Sequence, residues 1–179
     1  MGLDKHLRPE VIQKRSAVRA FFDRNIEKIN EHVNATTFPH ELVPEIRDLG
    51  VGGFEIKGYN GAGMNSIETG MICIELAKRD ASIGTFVLVH NSIGCSVINL
   101  LGSEEQKQKM LPDANTFKKV CSFGLTEPDN GSDASGLKTT ATKVEGGYLI
   151  NGRKRWIGNA TFADYIIVWA RNPSEGNNV

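Results

Sequence analysis

Apolar residues recur at the three- and four-residue spacing of a helix through the first part of the chain. The longest such series follows Pro9 and comprises Val11, Val18, Phe22, Ile26, Ile29 and Val33. These residues share one helical face, which predicts a long amphipathic helix. The segment 81–101 is nearly apolar on every side, and such a helix is typical of the centre of a protein. Gly102 ends it, and the capping box 103–106 (Ser-Glu-Glu-Gln) begins a further helix.

Shorter elements connect these helices. A short helix is predicted from Phe38-Pro39 to Gly50, with Pro44 in its first turn, where its missing N–H loses no hydrogen bond. The glycine-rich segment 57–63 is predicted to be a loop. Ser66 is expected to cap another helix that runs through Leu76. This part of the chain is therefore predicted to contain about five helices.

After Pro112 the period of the pattern falls to two residues. Strands are predicted at 120–126, 139–144, 148–150 and 165–170, the last of them buried. The second and third alternate around Gly146-Gly147, and Asn151-Gly152 predicts a tight turn. Helices followed by strands predict an α+β protein with two domains, a helical domain at 1–114 and the start of a β domain at 115–179. Four or five strands that end in the polar segment 171–179 would not close, so a truncated portion of a longer protein is expected.

Composition argues against two classes of partner. Twenty-one basic residues balance 21 acidic ones, so the chain lacks the positive field that nucleic acids and anionic membranes attract. A hydrophobic content of 40% and a charged content of 23% are typical of a soluble globular protein. The N-terminus resembles neither a signal nor a transit peptide. No apolar run is expected to reach the roughly 20 residues of a membrane span, so a soluble intracellular protein is predicted.

Cysteine and histidine positions predict no metal site. Cys73, Cys95 and Cys121 form no CxxC pair, and none has a histidine at metal-ligand spacing. They are expected to be buried free thiols in a reducing compartment. His90 lies in the apolar segment and is expected to be a hydrogen-bonded core histidine. Glu75 is expected to be a solvated or capped carboxylate on its helix.

The stretch 123–136 carries the clearest functional signal. It reads Phe-Gly-Leu-Thr-Glu-Pro-Asp-Asn-Gly-Ser-Asp-Ala-Ser-Gly, a strand that runs into a loop of glycines and small polar side chains. Such loops turn backbone N–H groups inward and form an anion cradle. The hydroxyls of Thr126 and Ser132 are predicted to face the same space. From composition alone, an ordinary turn between strands remains the simpler interpretation.

The same stretch resembles the signature of the acyl-CoA dehydrogenase family. The resemblance rests on Gly124-Leu125-Thr126-Glu127, Gly131-Ser132-Asp133 and Gly136, followed at the family's distance by 151–157 (Asn-Gly-Arg-Lys-Arg-Trp-Ile). The segments 56–59, 102–106 and 111–112 also resemble the family's helical domain. Glutaryl-CoA dehydrogenases and plant-type short-chain acyl-CoA oxidases are the most similar groups. The resemblance covers nearly the whole chain and implies that a C-terminal helical bundle should follow it.

The resemblance implies bound FAD. The implied cofactor-binding residues are Phe123, Leu125, Thr126, Gly131, Ser132, Trp156, Ile157 and Gly158. The first three would lie along the isoalloxazine ring, and donors at its pyrimidine edge would stabilise the charge of the reduced flavin. Gly131 and Ser132 would hold the pyrophosphate, with Ser132 also close to the acyl-CoA. Trp156 would pack on the flavin, the alternative for it being a core tryptophan on a strand.

Catalytic residues are not expected within the chain. In the family a glutamate of the C-terminal domain removes the α-proton, and it should lie beyond Val179. Glu127, although part of the signature, is interpreted as structural.

Two positions depart from the family pattern. Gly158 follows Trp156-Ile157, where many members have threonine, and the missing side chain predicts wider access to the flavin for dioxygen. Ile83-Gly84-Thr85 stands where glutaryl-type enzymes carry an arginine. A buried second carboxylate would then be unpaired, which predicts a plain short or medium acyl chain.

The predicted function is the FAD-dependent α,β-dehydrogenation of an acyl-CoA to the trans-2-enoyl-CoA. The full-length enzyme would be a homodimer or tetramer that passes electrons to dioxygen or to an electron-transfer flavoprotein. It would work in a peroxisome, the mitochondrial matrix or the bacterial cytoplasm, and the fragment alone would be inactive. Two alternatives stay open: a non-catalytic scaffold subunit that has lost flavin, and an acyl-CoA-binding module without flavin.

Overall fold

The structure is a computed structural model, and it describes residues 4–177. The α-helices are α1 Pro9–Ala35, α2 Val43–Asp48, α3 Ser66–Arg79, α4 Ala81–Leu88, α5 Ser96–Leu101 and α6 Glu104–Ala114. The strands are β1 Cys121–Gly124, β2 Thr140–Val144, β3 Gly147–Asn151 and β4 Tyr165–Val168. Short 3₁₀ turns lie at Asp4–His6, His40–Leu42, Ala134–Gly136 and Pro173–Glu175. Helices precede the strands along the chain, so the predicted α+β class is confirmed.

Local sequence explains where the first helices begin and end. Pro9 begins α1, and most of its predicted apolar face is buried, although Ile26 is only partly buried and Val33, near the C-terminal end, is exposed. Pro44 lies in the first turn of α2, as predicted. The predicted cap of α3 is wrong by one residue, because Asn65 and not Ser66 occupies that position. Asn65 accepts from the Glu68 N–H at 3.0 Å, and the Glu68 carboxylate accepts from the Asn65 N–H at 3.0 Å.

The segment 81–101 is one long helical stretch in which α4 and α5 are joined by a π-helical segment, Val89–Cys95. One side is buried, but Leu100 is 74% exposed and Leu101 69%, so burial on every side is not confirmed for the described residues. With 21 residues and a mean hydropathy of 1.5, the stretch is long and apolar enough to cross a membrane. The expectation that no run reaches this length is therefore wrong. Half of the stretch is buried within the protein, as in the core helix of a globular fold.

The described strands form two separate sheets of two strands each. β1 pairs with β4 in parallel, from Cys121 opposite Tyr165 to Gly124 opposite Val168. β2 and β3 form an antiparallel hairpin. A bridge between Thr140 and Arg171 connects the hairpin to the chain after β4.

Three details of the strand predictions need correction. The hairpin turns at Glu145-Gly146, one residue before the predicted pair. Asn151 is the last residue of β3, so Asn151-Gly152 makes no tight turn there. A side chain on Gly152 would place its Cβ 2.6 Å from the Cα of Thr139, so close backbone approach explains this glycine. β4 is shorter than predicted, and alternate residues along it are exposed rather than buried.

The hydrophobic core lies mainly among the helices. The larger cluster joins α1, α2, α3 and α4, and it also takes in Val120 just before β1. A smaller cluster comprises Ile56, Cys95, Ile98, Leu111, Ala114 and Cys121. β1 therefore enters the interior of the helical part, which fixes the strand that leads into the signature loop.

An ion-paired carboxylate lies inside the helical part. Glu75 is 2% exposed, and its Oε1 lies 2.6 Å from Nη2 of Arg15 and 2.7 Å from Nη2 of Arg19. The expectation of a solvated carboxylate is therefore wrong. The hydrogen bonds from Arg19 and Arg15 outweigh the effect of burial and lower the pKa of Glu75 to about 2. The trio ties α1 to α3 across the core.

Candidate functional site

An apolar cavity lies at the end of β1. It measures about 280 Å³ and is lined by Phe123, Leu125, Ala134, Ser135 and Trp169. The Trp169 ring meets the Phe123 ring edge-on, with centroids 6.1 Å apart. Phe123 and Leu125 were predicted site residues, whereas the other three were missed. Trp169 reaches the cavity because its backbone N–H donates to the Gly124 carbonyl at 3.0 Å. This hydrogen bond continues the β1–β4 pairing beyond β4.

The two signature segments contact each other directly. The Lys154 Nζ donates to the Leu125 carbonyl at 2.9 Å and to Oε1 of Glu127 at 2.9 Å. The Arg155 N–H donates to the Thr126 carbonyl at 2.9 Å. The segment that carries Trp156 is thereby fastened beside Thr126. Lys154 belongs to the motif 151–157, but the sequence alone did not predict these contacts.

Glu127 organises the base of the loop. Its carboxylate accepts hydrogen bonds from the N–H groups of Lys138 and Thr139 and, at 2.5 Å, from the Thr139 hydroxyl. Burial alone would raise the pKa of Glu127, but these donors and Lys154 lower it to about 2. These contacts agree with the predicted structural role of Glu127, because its carboxylate joins the loop after β1 to Lys138, Thr139 and Lys154.

Trp156 lies on the surface beside this frame. It is 79% exposed, and the Arg155 guanidinium lies 4.3 Å from the centroid of its ring. The alternative of a core tryptophan on a strand is therefore wrong. The neighbouring backbone is fixed by hydrogen bonds while the indole ring is exposed to solvent, so the ring offers a flat surface on which a planar ligand can stack.

The loop between β1 and the next 3₁₀ turn leaves its predicted phosphate-binding residues open to solvent. Gly131 and Ser132 are exposed, and a Cβ at Gly131 would meet no atom within 4 Å. Backbone hydrogen bonds between Glu127 and Asn130 shape the turn before them, and the Asp133 side chain accepts from the Gly136 N–H after them. That the hydroxyls of Thr126 and Ser132 face one space remains a prediction.

Gly158 packs against the helical part. Its carbonyl accepts a hydrogen bond from the Ser122 hydroxyl at 2.7 Å. A Cβ at this position would lie 3.3 Å from Cγ2 of Val89 in the π-helical segment. A threonine here would therefore press on Val89, so the absent side chain permits close packing. Ile157, next to Gly158, is partly buried.

These residues fit a flavin. The site combines an apolar cavity, an exposed indole and an open loop of small residues, as a ring system joined to a pyrophosphate requires. The indole Nε1 of Trp169 is also buried without a hydrogen-bond partner among the described residues. A bound group with an acceptor atom would satisfy it.

A second cluster, which the sequence did not predict, lies behind β1. His90, Cys95 and Cys121 are all buried, and their ligand-type atoms lie within 4.8 Å of one another. The His90 Nδ1 accepts from the Cys121 N–H at 3.0 Å, so its Nε2 carries the proton and donates to the Ala114 carbonyl at 3.0 Å. The prediction of a hydrogen-bonded core histidine is confirmed. All three cysteines are free, although Cys73 is only partly buried.

Comparison with known proteins finds the acyl-CoA dehydrogenase family along nearly the whole chain. Residues 8–118 match the family model described as "Acyl-CoA dehydrogenase, N-terminal domain", and residues 122–179 match "Acyl-CoA dehydrogenase, middle domain". An acyl-CoA dehydrogenase of Bacillus subtilis is 35% identical over 97% of this chain and 46% of its own length. The chain thus spans less than half of that relative.

Solved structures extend the likeness to three dimensions. A glutaryl-CoA dehydrogenase from Mycobacterium smegmatis is 37% identical with a TM-score of 0.88, covering 96% of this chain and 45% of that one. A second structure of a glutaryl-CoA dehydrogenase from that organism, in complex with FADH2, is 36% identical with a TM-score of 0.87 and the same coverage.

Proposed function

Because the chain belongs to the acyl-CoA dehydrogenase family, we propose that it forms the flavin-facing part of an enzyme that oxidises an acyl-CoA to the trans-2-enoyl-CoA. One observation carries the proposal. Lys154 and Arg155 bind the backbone of Leu125 and Thr126, and this places the exposed Trp156 beside the end of β1. The relative solved with FADH2 supports FAD as the cofactor.

Each part of the site has a defined task in this proposal. FAD, when bound, would accept the hydride that leaves the β-carbon of the acyl group. Phe123, Leu125 and Trp169 would exclude water from one side of the reacting groups. The Thr126 hydroxyl would donate to the pyrimidine edge of the ring and stabilise negative charge there. Ser132 and the Gly131 backbone would bind phosphate oxygens. We assign none of the described residues as the base that removes the α-proton.

The proposed substrate carries a plain short or medium acyl chain. Ile83 is buried and Thr85 is exposed, with its hydroxyl bound to the Ala81 carbonyl at 2.8 Å. This segment therefore offers no charged partner for a second carboxylate. We further propose two domains that meet near residue 115, a homo-oligomeric soluble enzyme, and dioxygen or an electron-transfer flavoprotein as electron acceptor.

The test is an FAD titration of the chain, followed by flavin absorbance. Replacing Thr126 with valine should weaken FAD binding about tenfold, since one hydrogen bond to a charged partner contributes about 1.5 kcal/mol. Thr142→Val, on an exposed residue of β2, is the matched control and should leave binding unchanged. Wild-type protein that retains no flavin absorbance after FAD is added and the unbound FAD is removed would contradict the proposal and favour the scaffold alternative.

Turnover is tested in the full-length protein, by adding butyryl-CoA without oxygen. Bleaching of the flavin band would establish acyl-CoA oxidation. Admitting air would then distinguish an oxidase, which forms hydrogen peroxide, from a dehydrogenase. Stable colour with every acyl-CoA would contradict the proposed reaction even if FAD binds.

A further inference from the structure

Two cysteines that are distant in sequence come into contact in the interior. Cys95 ends the π-helical segment and Cys121 begins β1, and their Sγ atoms are 3.9 Å apart. Both side chains are fully buried in the smaller core cluster. Gly94, next to Cys95, allows the helical segment to lie this close to β1, because a Cβ on residue 94 would overlap the Cβ of Cys121. The fold thus holds the two thiols together at a point where a larger residue would separate them.

The two thiols differ in acidity. The Cys95 thiol donates a hydrogen bond to the Cys121 sulfur, which raises the pKa of Cys95, and burial raises it further. The same hydrogen bond lowers the pKa of the Cys121 thiol, against the opposing effect of burial. In such a pair the more acidic sulfur, once it loses its proton, attacks an oxidant, and the other sulfur completes the disulfide.

A metal ion fits the cluster less well than a dithiol does. His90 would be the third ligand, but both of its ring nitrogens already bind the backbone, at Ala114 and at Cys121. Coordination would break one of these hydrogen bonds and leave a buried main-chain group unsatisfied. His90 therefore serves to position the two sulfurs, and the reactive groups are Cys95 and Cys121.

We propose that Cys95 and Cys121 are a redox-active dithiol that hydrogen peroxide converts to a disulfide between the helical part and β1. The Cys121 thiolate attacks one peroxide oxygen, the O–O bond breaks, and the leaving hydroxide takes a proton to become water. The Cys95 thiol then attacks the sulfenic sulfur of Cys121 and releases a second water. Two thiols lose two electrons in total, and one peroxide is reduced to two waters.

The proposed reaction requires access to the pair and a closer approach of the two sulfurs. Both cysteines are fully buried, so hydrogen peroxide, which is close to water in size, must reach them through a local opening of the fold. The sulfurs must then approach from 3.9 Å to about 2.05 Å. The product would tie the π-helical segment to the strand that carries Phe123. This inference stands on the geometry of the pair and does not require the proposed flavin chemistry.

The test uses the chain with Cys73→Ser, which removes the remaining cysteine. After peroxide treatment, unfolding and alkylation, mass spectrometry should show a loss of about 2 Da, no alkylation, and a crosslinked peptide that joins Cys95 to Cys121. The oxidised protein should unfold about 5–10 °C higher than the reduced one, because the crosslink closes a loop in the unfolded chain. Dithiothreitol should reverse both changes.

Three outcomes would overturn the proposal. They are two fully alkylated thiols after treatment, sulfinic acid on either cysteine without a crosslink, and a stoichiometric metal ion that protects the thiols in native mass spectra. Wild-type protein serves as the second sample. A crosslink there that includes Cys73 would show that the pair is not selected by its geometry.

Discussion

The helical and the strand-rich parts of the molecule are stabilised in different ways. Among the described residues, the largest fully buried side chains nearly all precede Cys121, and Leu137 is the exception. In the hairpin of β2 and β3, by contrast, Leu149 is 62% exposed and Tyr148 54%. The helices bury their apolar faces against one another, whereas β3 is exposed along its whole length. Stability therefore resides mainly in the helices, while the proposed chemistry resides in the strand-rich part.

Polar contacts replace a core in the strand-rich part. Glu127 holds the loop after β1, and Arg171 donates through Nε to the Leu137 carbonyl at 2.8 Å. The Asp164 carboxylate accepts from the Val120 N–H at 2.8 Å and pairs with Lys119. Such contacts fix direction as well as distance, which a site for an oriented ligand requires. This difference between the helical and the strand-rich parts predicts that substitutions in them will have very different effects on the free energy of unfolding.

The largest loss should come from the helical core. Phe22→Ala removes a side chain that is fully buried in α1, and the lost contacts and the cavity should lower the free energy of unfolding by about 3–5 kcal/mol. Ile12→Ala is the control on the same helix, where the side chain is 42% exposed, and the loss should stay below about 1 kcal/mol. Urea denaturation measures both. Equal losses would contradict the assignment of stability to the buried face.

The buried ion pairs should have the next largest effect, and it should depend on pH. Glu75→Gln removes the negative charge that pairs with the buried Arg15 and should lower the free energy of unfolding by about 3 kcal/mol at pH 7. The folded pKa of about 2 lies below the ordinary value of 4.5. The stabilisation is therefore complete above pH 4.5 and is lost as the pH falls toward 2.

Urea denaturation as a function of pH tests this prediction. The wild type and Glu75→Gln should converge as the pH approaches 2. Glu31→Gln is the control, because Glu31 is an exposed residue of α1. This variant should follow the wild type throughout. A difference between the wild type and Glu75→Gln that persists unchanged at pH 2 would contradict the ion-pair explanation.

Local signals in the sequence predicted most of the elements. The 3.6-residue spacing after Pro9 gave α1, and the box that begins at Ser103 gave the start of α6, because these signals depend on residues within one or two turns. The segments 123–136 and 151–157 likewise contain the cofactor residues that family resemblance implies. Their direct contact in the structure agrees with one shared site, although the role of each residue remains a prediction.

Long-range contacts could not be predicted in this way. Glu75 looked like a surface residue because its partners, Arg15 and Arg19, are on another helix. Cys95 meets Cys121 only because β1 enters the helical core, and Trp169 reaches the cavity only through the parallel pairing of β1 and β4. None of these contacts leaves a periodic signal in one segment. The tight turn expected at Asn151-Gly152 was wrong for the same reason, since Thr139 determines the need for glycine.

The smallest effect should come from the exposed hairpin. Leu149→Ala removes a large apolar side chain, yet that side chain is 62% exposed and lies on β3, so it gives up little buried area. The free energy of unfolding should change by less than about 0.5 kcal/mol. Leu76→Ala, on a fully buried leucine of α3, is the matched substitution and should lose about 2–5 kcal/mol. If Leu149→Ala instead lost more than about 1 kcal/mol, this face of the hairpin would be covered in solution, and the contrast between the two parts would fail at that surface.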